Sequence, residues 1–234
     1  MIELWIPITI LAAFSQNLRS ALQKHLKSRL STAGATYVRF FYAVPFAFLY
    51  LFILNQFFYL PLPEPNANFI IFGIIGGGTQ IIATALLVYL FSFRNFAVGT
   101  AYSKTETAQT AVFGLIILGD PLTPGAIIGI MISLVGVMAI STARQENGLK
   151  NIIQSLSQKT ALIGLASGAM FGMSAISYRA ASLSLGGEGV VIQAAYTLAC
   201  VTVFQTLVMT IYLQLKEKGE VINVIKNWRI AILV

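Results

Sequence analysis

Five stretches of this chain run without a single charged side chain: residues 40–63, 65–93, 121–143, 160–178 and 189–215. A helix needs roughly 20 mostly apolar residues to cross the hydrocarbon core of a bilayer, and each stretch supplies about that many or more. Charged residues make up only 10% of the chain and mean hydropathy is +0.80. A water-soluble core cannot hide that much apolar surface. Inside lipid every backbone polar group must be satisfied within the chain, which leaves helices or closed barrels. The short alternating segments of a barrel are missing. The expected fold class is therefore all-α, a polytopic transmembrane helix bundle. Spans are expected near 4–22, 36–57, 69–91, 98–118, 124–142, 160–178 and 190–213, with an eighth beginning near Arg229.

The cations give the expected topology. Arg19, Lys24, Lys27 and Arg29 follow the first span, Arg94 the third, Arg144, Lys150 and Lys159 the fifth, and Lys216, Lys218, Lys226 and Arg229 the seventh. The N-terminus and the intervening loops hold one cation, Arg179. Positive loops stay in the cytoplasm, so the N-terminus is expected outside, in an inner or plasma membrane. Met1–Glu3 lacks the basic region of a secretory signal, so the first span reads as an anchor. Pro7 and Pro45 lie inside spans and are expected to kink them. In the polar connection 144–159, the run Leu149, Ile152, Ile153, Leu156 has helical spacing; a surface helix and a solvated linker are both open.

The net charge of +7 is topological rather than a basic stripe interleaved with aromatics, so no nucleic-acid partner is expected. The one cysteine, Cys200, and the one histidine, His25, lie far apart, which argues against a thiol–imidazole metal site and against a nucleophile–base pair. There is no Walker sequence. No cofactor is expected and the chain does not read as an enzyme.

Function is sought among the polar residues that should lie in lipid. Glu106 comes first: it sits about eight residues into its span, roughly 12 Å along the axis. A carboxylate at that depth is costly and faces a cavity or a partner. Tyr102 and Gln109 share its face by i−4 and i+3 spacing. One reading is a cavity carboxylate for a substrate amine or a proton; the other is a structural ion pair with Arg39 or Lys104. For Lys104 and Arg39 themselves the competing reading is snorkelling to the membrane surface. Gly76, Gln80 and Thr84 follow i, i+4, i+8 spacing on the third span, where they line a cavity or bond to neighbouring helices. Gln16, Asn17 and Arg19 either line a cavity mouth or cap the first helix. Gly164, Gly168 and Gly172 on the sixth span, and Gly125 and Gly129 on the fifth, have the GxxxG spacing of close helix packing, within one subunit or between the two copies of a homodimer.

At a shift of 155 residues Lys24 falls on Arg179, with apolar helices matched on both sides. A unit with an odd number of spans enters the membrane inverted when repeated, a building plan common in secondary transporters.

Several segments together resemble the drug/metabolite transporter superfamily, specifically its EamA-like ten-helix group. They are Lys24 at the end of the first span, Arg39 early in the second, and the turn Arg94-Asn95-Phe96-Ala97. With them come Ala101-Tyr102-Ser103-Lys104-Thr105-Glu106 and, most distinctively, Leu115-Ile116-Ile117-Leu118-Gly119-Asp120-Pro121-Leu122-Thr123, followed by Gly129 and Gly136. Asp120 stands where the family usually has Glu. Gly164 to Arg179 looks like the opening of a second repeat. The resemblance implies inverted five-helix repeats: 1–143 as the first, 144–159 as a cytoplasmic linker, and 160–234 as part of the second. A longer parent chain is expected on this reading. It also implies a secondary transporter, an exporter of small polar metabolites such as amino acids, working by alternating access. The third and fourth helices then line a cavity between the halves, where Gln80, Thr84, Tyr102, Glu106 and Gln109 fall. Asp120 would cap and position the fifth helix. The rival reading is a membrane-embedded binding or assembly protein that transports nothing.

Overall fold

A computed structural model describes residues 5–93, 96–143, 159–187 and 189–234. The linker segment around Leu149–Leu156, and Arg94, Arg144 and Lys150 of the charge pattern, lie outside the described residues. Helices α1 (Trp5–Leu26), α2 (Thr32–Phe41), α3 (Ala43–Phe57), α4 (Ala67–Leu90), α5 (Phe96–Ser103) and α6 (Glu106–Phe113) come first. A wide π-type turn, Gly114–Leu118, continues α6. Then follow α7 (Pro124–Ala143), α8 (Lys159–Ser184), α9 (Val190–Lys216), α10 (Glu220–Lys226) and α11 (Trp228–Ala231). There is no strand among the described residues, and the chain is an all-α bundle.

Breaks in the helices have local causes. Tyr42 alone separates α2 from α3. Pro45 has no N–H to give the Phe41 carbonyl, and its ring crowds that carbonyl, so the expected kink falls here. The fourth span, expected as one helix over 98–118, is broken at Lys104–Thr105. Ser103 Oγ donates to Thr100 O at 2.7 Å and Thr105 Oγ1 to Tyr102 O at 2.7 Å. The backbone there tightens to i→i−3 bonds, Lys104 to Ala101 and Thr105 to Tyr102. Side-chain hydroxyls competing for helix carbonyls bend helices in this way. At helix starts, Ser31 accepts from Gly34 N–H and Asn66 from Phe69 N–H, each at 2.9 Å. These caps begin α2 four residues earlier than expected and α4 two earlier.

Contacts at both ends show that successive spans run in opposite directions. At the end where α1, α4 and α9 finish, Lys24 Nζ stands 3.7 Å above the Phe96 ring and Lys159 Nζ is 5.8 Å from the Phe93 ring. Ser31 N–H donates to Glu220 Oε1 at 2.6 Å and Ser31 Oγ donates to Glu217, which places two carboxylates at the N-terminus of α2 where the helix dipole favours them. At the other end Asn66 donates to Ser184 O, and Arg179 forms a salt bridge with Asp120.

At the centre of the bundle is α8, which packs on α4, α5, α6 and α9. Its glycines allow the approach. A Cβ on Gly168 would stand 2.9 Å from Ser103 O and 3.2 Å from Glu106 N, and one on Gly172 3.1 Å from Thr110 N. On the facing helix, a Cβ on Gly76 would lie 2.6 Å from the Tyr178 ring. The GxxxG spacing of α8 is thus used within the chain. That of α7 is not: among the described residues Gly125 and Gly129 have nothing within 4 Å, because α7 turns its Val137 side to α5 and α8 and leaves these glycines outward. The outer surface is apolar, with Phe48, Phe52, Ile128, Ile132 and Leu207 exposed. Such a surface suits acyl chains and not water.

Among the described residues four helical segments are long and apolar enough to cross a membrane: Thr32–Phe57, Ala67–Leu90, Lys159–Ser184 and Val190–Lys216. The remaining expected spans differ for physical reasons. Gln16, Asn17 and Arg19 lower the hydropathy of α1, the fourth span is broken, and α7 contributes a shorter apolar stretch, Pro124–Val137. In place of one helix starting near Arg229, the short helices α10 and α11 meet at Asn227.

Candidate functional site

A cavity of about 470 Å³ opens between α2, α3, α4, α8 and α9, and reaches Arg19 of α1. Its polar wall is a hydrogen-bonded cluster from three helices. Tyr178 OH donates to Gln80 Oε1 at 2.9 Å. Gln205 Nε2 donates to Gln80 Oε1 at 2.8 Å, and lies 3.0 Å from Tyr178 OH and 3.2 Å from Gly77 O. The cluster exists because Gly76 and Gly77 carry no side chain: the rings of Tyr178 and Phe204 occupy the space where their Cβ atoms would be. Arg39 completes this wall. Its Nη1 donates to Thr84 Oγ1 at 3.1 Å, and its guanidinium carbon stands 5.6 Å from the Phe171 ring and 5.9 Å from the Phe40 ring. The opposite wall is apolar, with Phe46, Leu198 and Val201.

The seven residues singled out from the sequence divide into two groups. Arg39, Gln80 and Thr84 come together. Gln80 and Arg39 line the cavity, while Thr84 is fully buried behind Arg39 as its hydrogen-bond acceptor. The guanidinium is therefore engaged within the bundle, and the snorkelling reading does not describe it.

The others lie along the α5–α6 break against α8. Tyr102 is buried in a cluster with Ala101, Val137 and Ala161. The break puts Tyr102 on α5 and Glu106 and Gln109 on α6, so the single stripe expected from unbroken helical spacing is not formed. Gln109 Nε2 donates to Thr105 Oγ1 at 3.0 Å, and its Oε1 is buried without a partner. Glu106 opens α6, where a carboxylate suits the helix dipole. It lies within electrostatic range of Lys104, Arg39 and Arg19. The ion pair with Arg39 or Lys104 is not made: among the described residues the salt bridge is Arg179–Asp120. Asp120 pairs with Arg179 rather than capping α7; the cap is Thr123, placed before an N1 proline as such a cap is expected to be, which accepts from Ala126 N–H at 3.2 Å. Lys104 is half-buried.

Gln16 and Arg19 of the first helix line a second hollow, beside Leu233 and Val234. His25 is exposed. Sequence reading missed Tyr178 and Gln205. Thr202 and Gln205, three apart in a charge-free span, were a visible signal among its other threonines and Gln193, and Tyr178 was masked by the neighbouring charge of Arg179.

The EamA-like transporter family model matches residues 3–142, more than half of the chain. The chain belongs to the EamA-like transporter family, within the drug/metabolite transporter superfamily. No curated protein and no solved structure matches it.

Proposed function

We propose that this multi-pass membrane protein is a secondary transporter that exports small polar metabolites, amino acids foremost, by alternating access through the cavity beside Gln80. The observation that carries this reading is the polar cluster Gln80–Tyr178–Gln205 and Arg39 on the wall of a cavity otherwise enclosed by apolar spans. Polar groups at membrane depth mark substrate pathways. The cavity volume is within the ~300–1,000 Å³ of small-molecule sites. Helices α2 to α4 precede the 144–159 linker and α8 and α9 follow it, so the site lies between the two proposed repeats, which would move against each other. No chemical step is assigned, and the protein is read as a carrier rather than an enzyme.

The proposed setting is the inner or plasma membrane, with the basic loops cytoplasmic and the N-terminus outside. Glu106, close enough to act electrostatically on Arg39 and Arg19, is the proposed proton carrier. For any self-association the proposed face is that of Gly125 and Gly129 on α7, which have nothing within 4 Å among the described residues.

The test is counterflow: protein in liposomes preloaded with one amino acid, with uptake of the same labelled amino acid followed across a panel. Accumulation above protein-free liposomes for at least one member supports the proposal. No accumulation across amino acids, amines and carboxylates favours a non-transporting binding protein.

A further inference from the structure

Arg39 and Arg19 face the same cavity, and among the described residues none that lines it is an aspartate or a glutamate. A guanidinium has five N–H donors. Arg39 uses Nη1 on Thr84, a neutral hydroxyl, and two aromatic rings cover part of its plane. Arg19 Nε is buried without a partner. Among the described residues neither guanidinium forms a salt bridge. Glu106 influences both through space, yet it neither lines the cavity nor pairs with either.

The neutral part of the wall has the same polarity. Gln80 Oε1 is occupied by donors from Tyr178 and Gln205. That fixes the amide so that its free face is its NH2 group, a donor. Gln205 Nε2 is held among Gly77, Gln80 and Tyr178. Among the described residues the side chains on this wall thus offer cations and N–H donors, with no carboxylate side chain to receive an ammonium. A guanidinium left unpaired at membrane depth is costly unless a counter-charge arrives. The planar fork of arginine matches two oxygens of one anionic group. Phe46, Leu198 and Val201 give an apolar body somewhere to lie.

We propose that Arg39, with Arg19 beside it, is the receptor for an oxyanion carried by the ligand, and that an ammonium group on the same ligand is dispensable. This rests on reading the cavity as the substrate site, and it names what that site recognises. Amino acids qualify through their carboxylates; amines lacking an oxyanion do not.

The experiment uses four probes with one branched apolar body: leucine, 4-methylpentanoate, isopentyl phosphate and isopentylamine. Binding to the purified full chain in detergent is read as the shift in melting temperature against probe concentration, at fixed ionic strength. The wild type, Arg39→Lys, Arg39→Gln and, as a guanidinium outside the cavity, Arg179→Gln are compared. The expected result is saturable stabilisation by leucine and by at least one of the two deaminated anions, and none by isopentylamine. Half-saturation should weaken at least roughly ten-fold in Arg39→Gln, the loss expected of a charge-assisted hydrogen bond, and be unchanged in Arg179→Gln. The stronger of the two anions identifies the group as carboxylate or phosphate.

Stabilisation by isopentylamine equal to that by the anions, or none by either anion, overturns the proposal. So does anion binding in Arg39→Gln at wild-type strength. If Arg39→Gln does not fold, the wild-type probe series decides alone. Oxyanion binding without counterflow would sink the transport reading and leave this one standing. Counterflow of leucine inhibited equally well by isopentylamine would do the reverse.

Discussion

Around Gln80, side chains from α4, α8 and α9 share hydrogen bonds and face a cavity. Around Glu106, at the start of α6, the polar side chains are instead pressed against α8, and Gln109 bonds to its own helix through Thr105. Both regions hold ionisable groups at membrane depth, and both owe their form to glycines at a helix–helix contact. The difference is what each glycine admits. Gly76 and Gly77 admit the side chains Tyr178 and Phe204, and so build a side-chain cluster; Gly164, Gly168 and Gly172 admit backbone, and so close the space beside α5 and α6. A polar residue facing a tightly packed backbone has little room for a ligand, whereas one facing side chains can border a cavity.

The comparison is most easily broken at Gly168. Gly168→Leu would drive a side chain into Ser103 O and Glu106 N, neither of which can yield without moving the broken fourth span. A loss of about 3 kcal/mol is expected, at the upper end for overpacking, seen as a lower melting temperature and loss of the monodisperse peak in detergent. A variant that melts like the wild type would show that this region is loosely packed.

Next comes Gln205→Leu. It removes the donor shared among Gly77 O, Gln80 Oε1 and Tyr178 OH. Buried acceptors left bare cost about 1–3 kcal/mol, and counterflow should fall by roughly ten-fold if that loss is expressed at the site. Full counterflow would remove the cluster from the transport path.

Glu106→Gln keeps the shape and removes the charge. Stability should change by less than about 1 kcal/mol, and the pH dependence of transport should flatten. Export that stays as pH-dependent as in the wild type takes Glu106 out of the mechanism.

Smallest is Arg179→Gln, which cuts the exposed pair with Asp120. Exposed ion pairs contribute about 1 kcal/mol or less, so its melting curve should nearly overlay that of the wild type.

Much of this was legible in the sequence. The charge-free stretches and the alternation of cations gave an all-α membrane bundle, and Pro45 marked the α2–α3 break. The small residues of α8 marked a close-packed helix. Arg39 and Gln80 were singled out, though their union was not. Their contact joins helices far apart in the chain, and helical spacing reports only which residues share a face of one helix. The α5–α6 break was hidden because Ser103 and Thr105 read as ordinary helix residues; only their hydroxyls turning back onto Thr100 O and Tyr102 O reveal the break. The glycines of α7 show the converse limit. GxxxG spacing on that helix looks like that on α8, yet among the described residues it meets nothing, since spacing encodes a smooth face and not the identity of what lies on it.

The central claim is that water and ligand enter the cavity beside Gln80. Ala43, half-buried on its wall, allows a small change. In a Cys200→Ala background, Ala43→Cys should react with a water-borne methanethiosulfonate reagent, and leucine or 4-methylpentanoate should slow that reaction. A thiol at this position that stays unreactive, or reacts at the same rate with either compound present, would contradict the account.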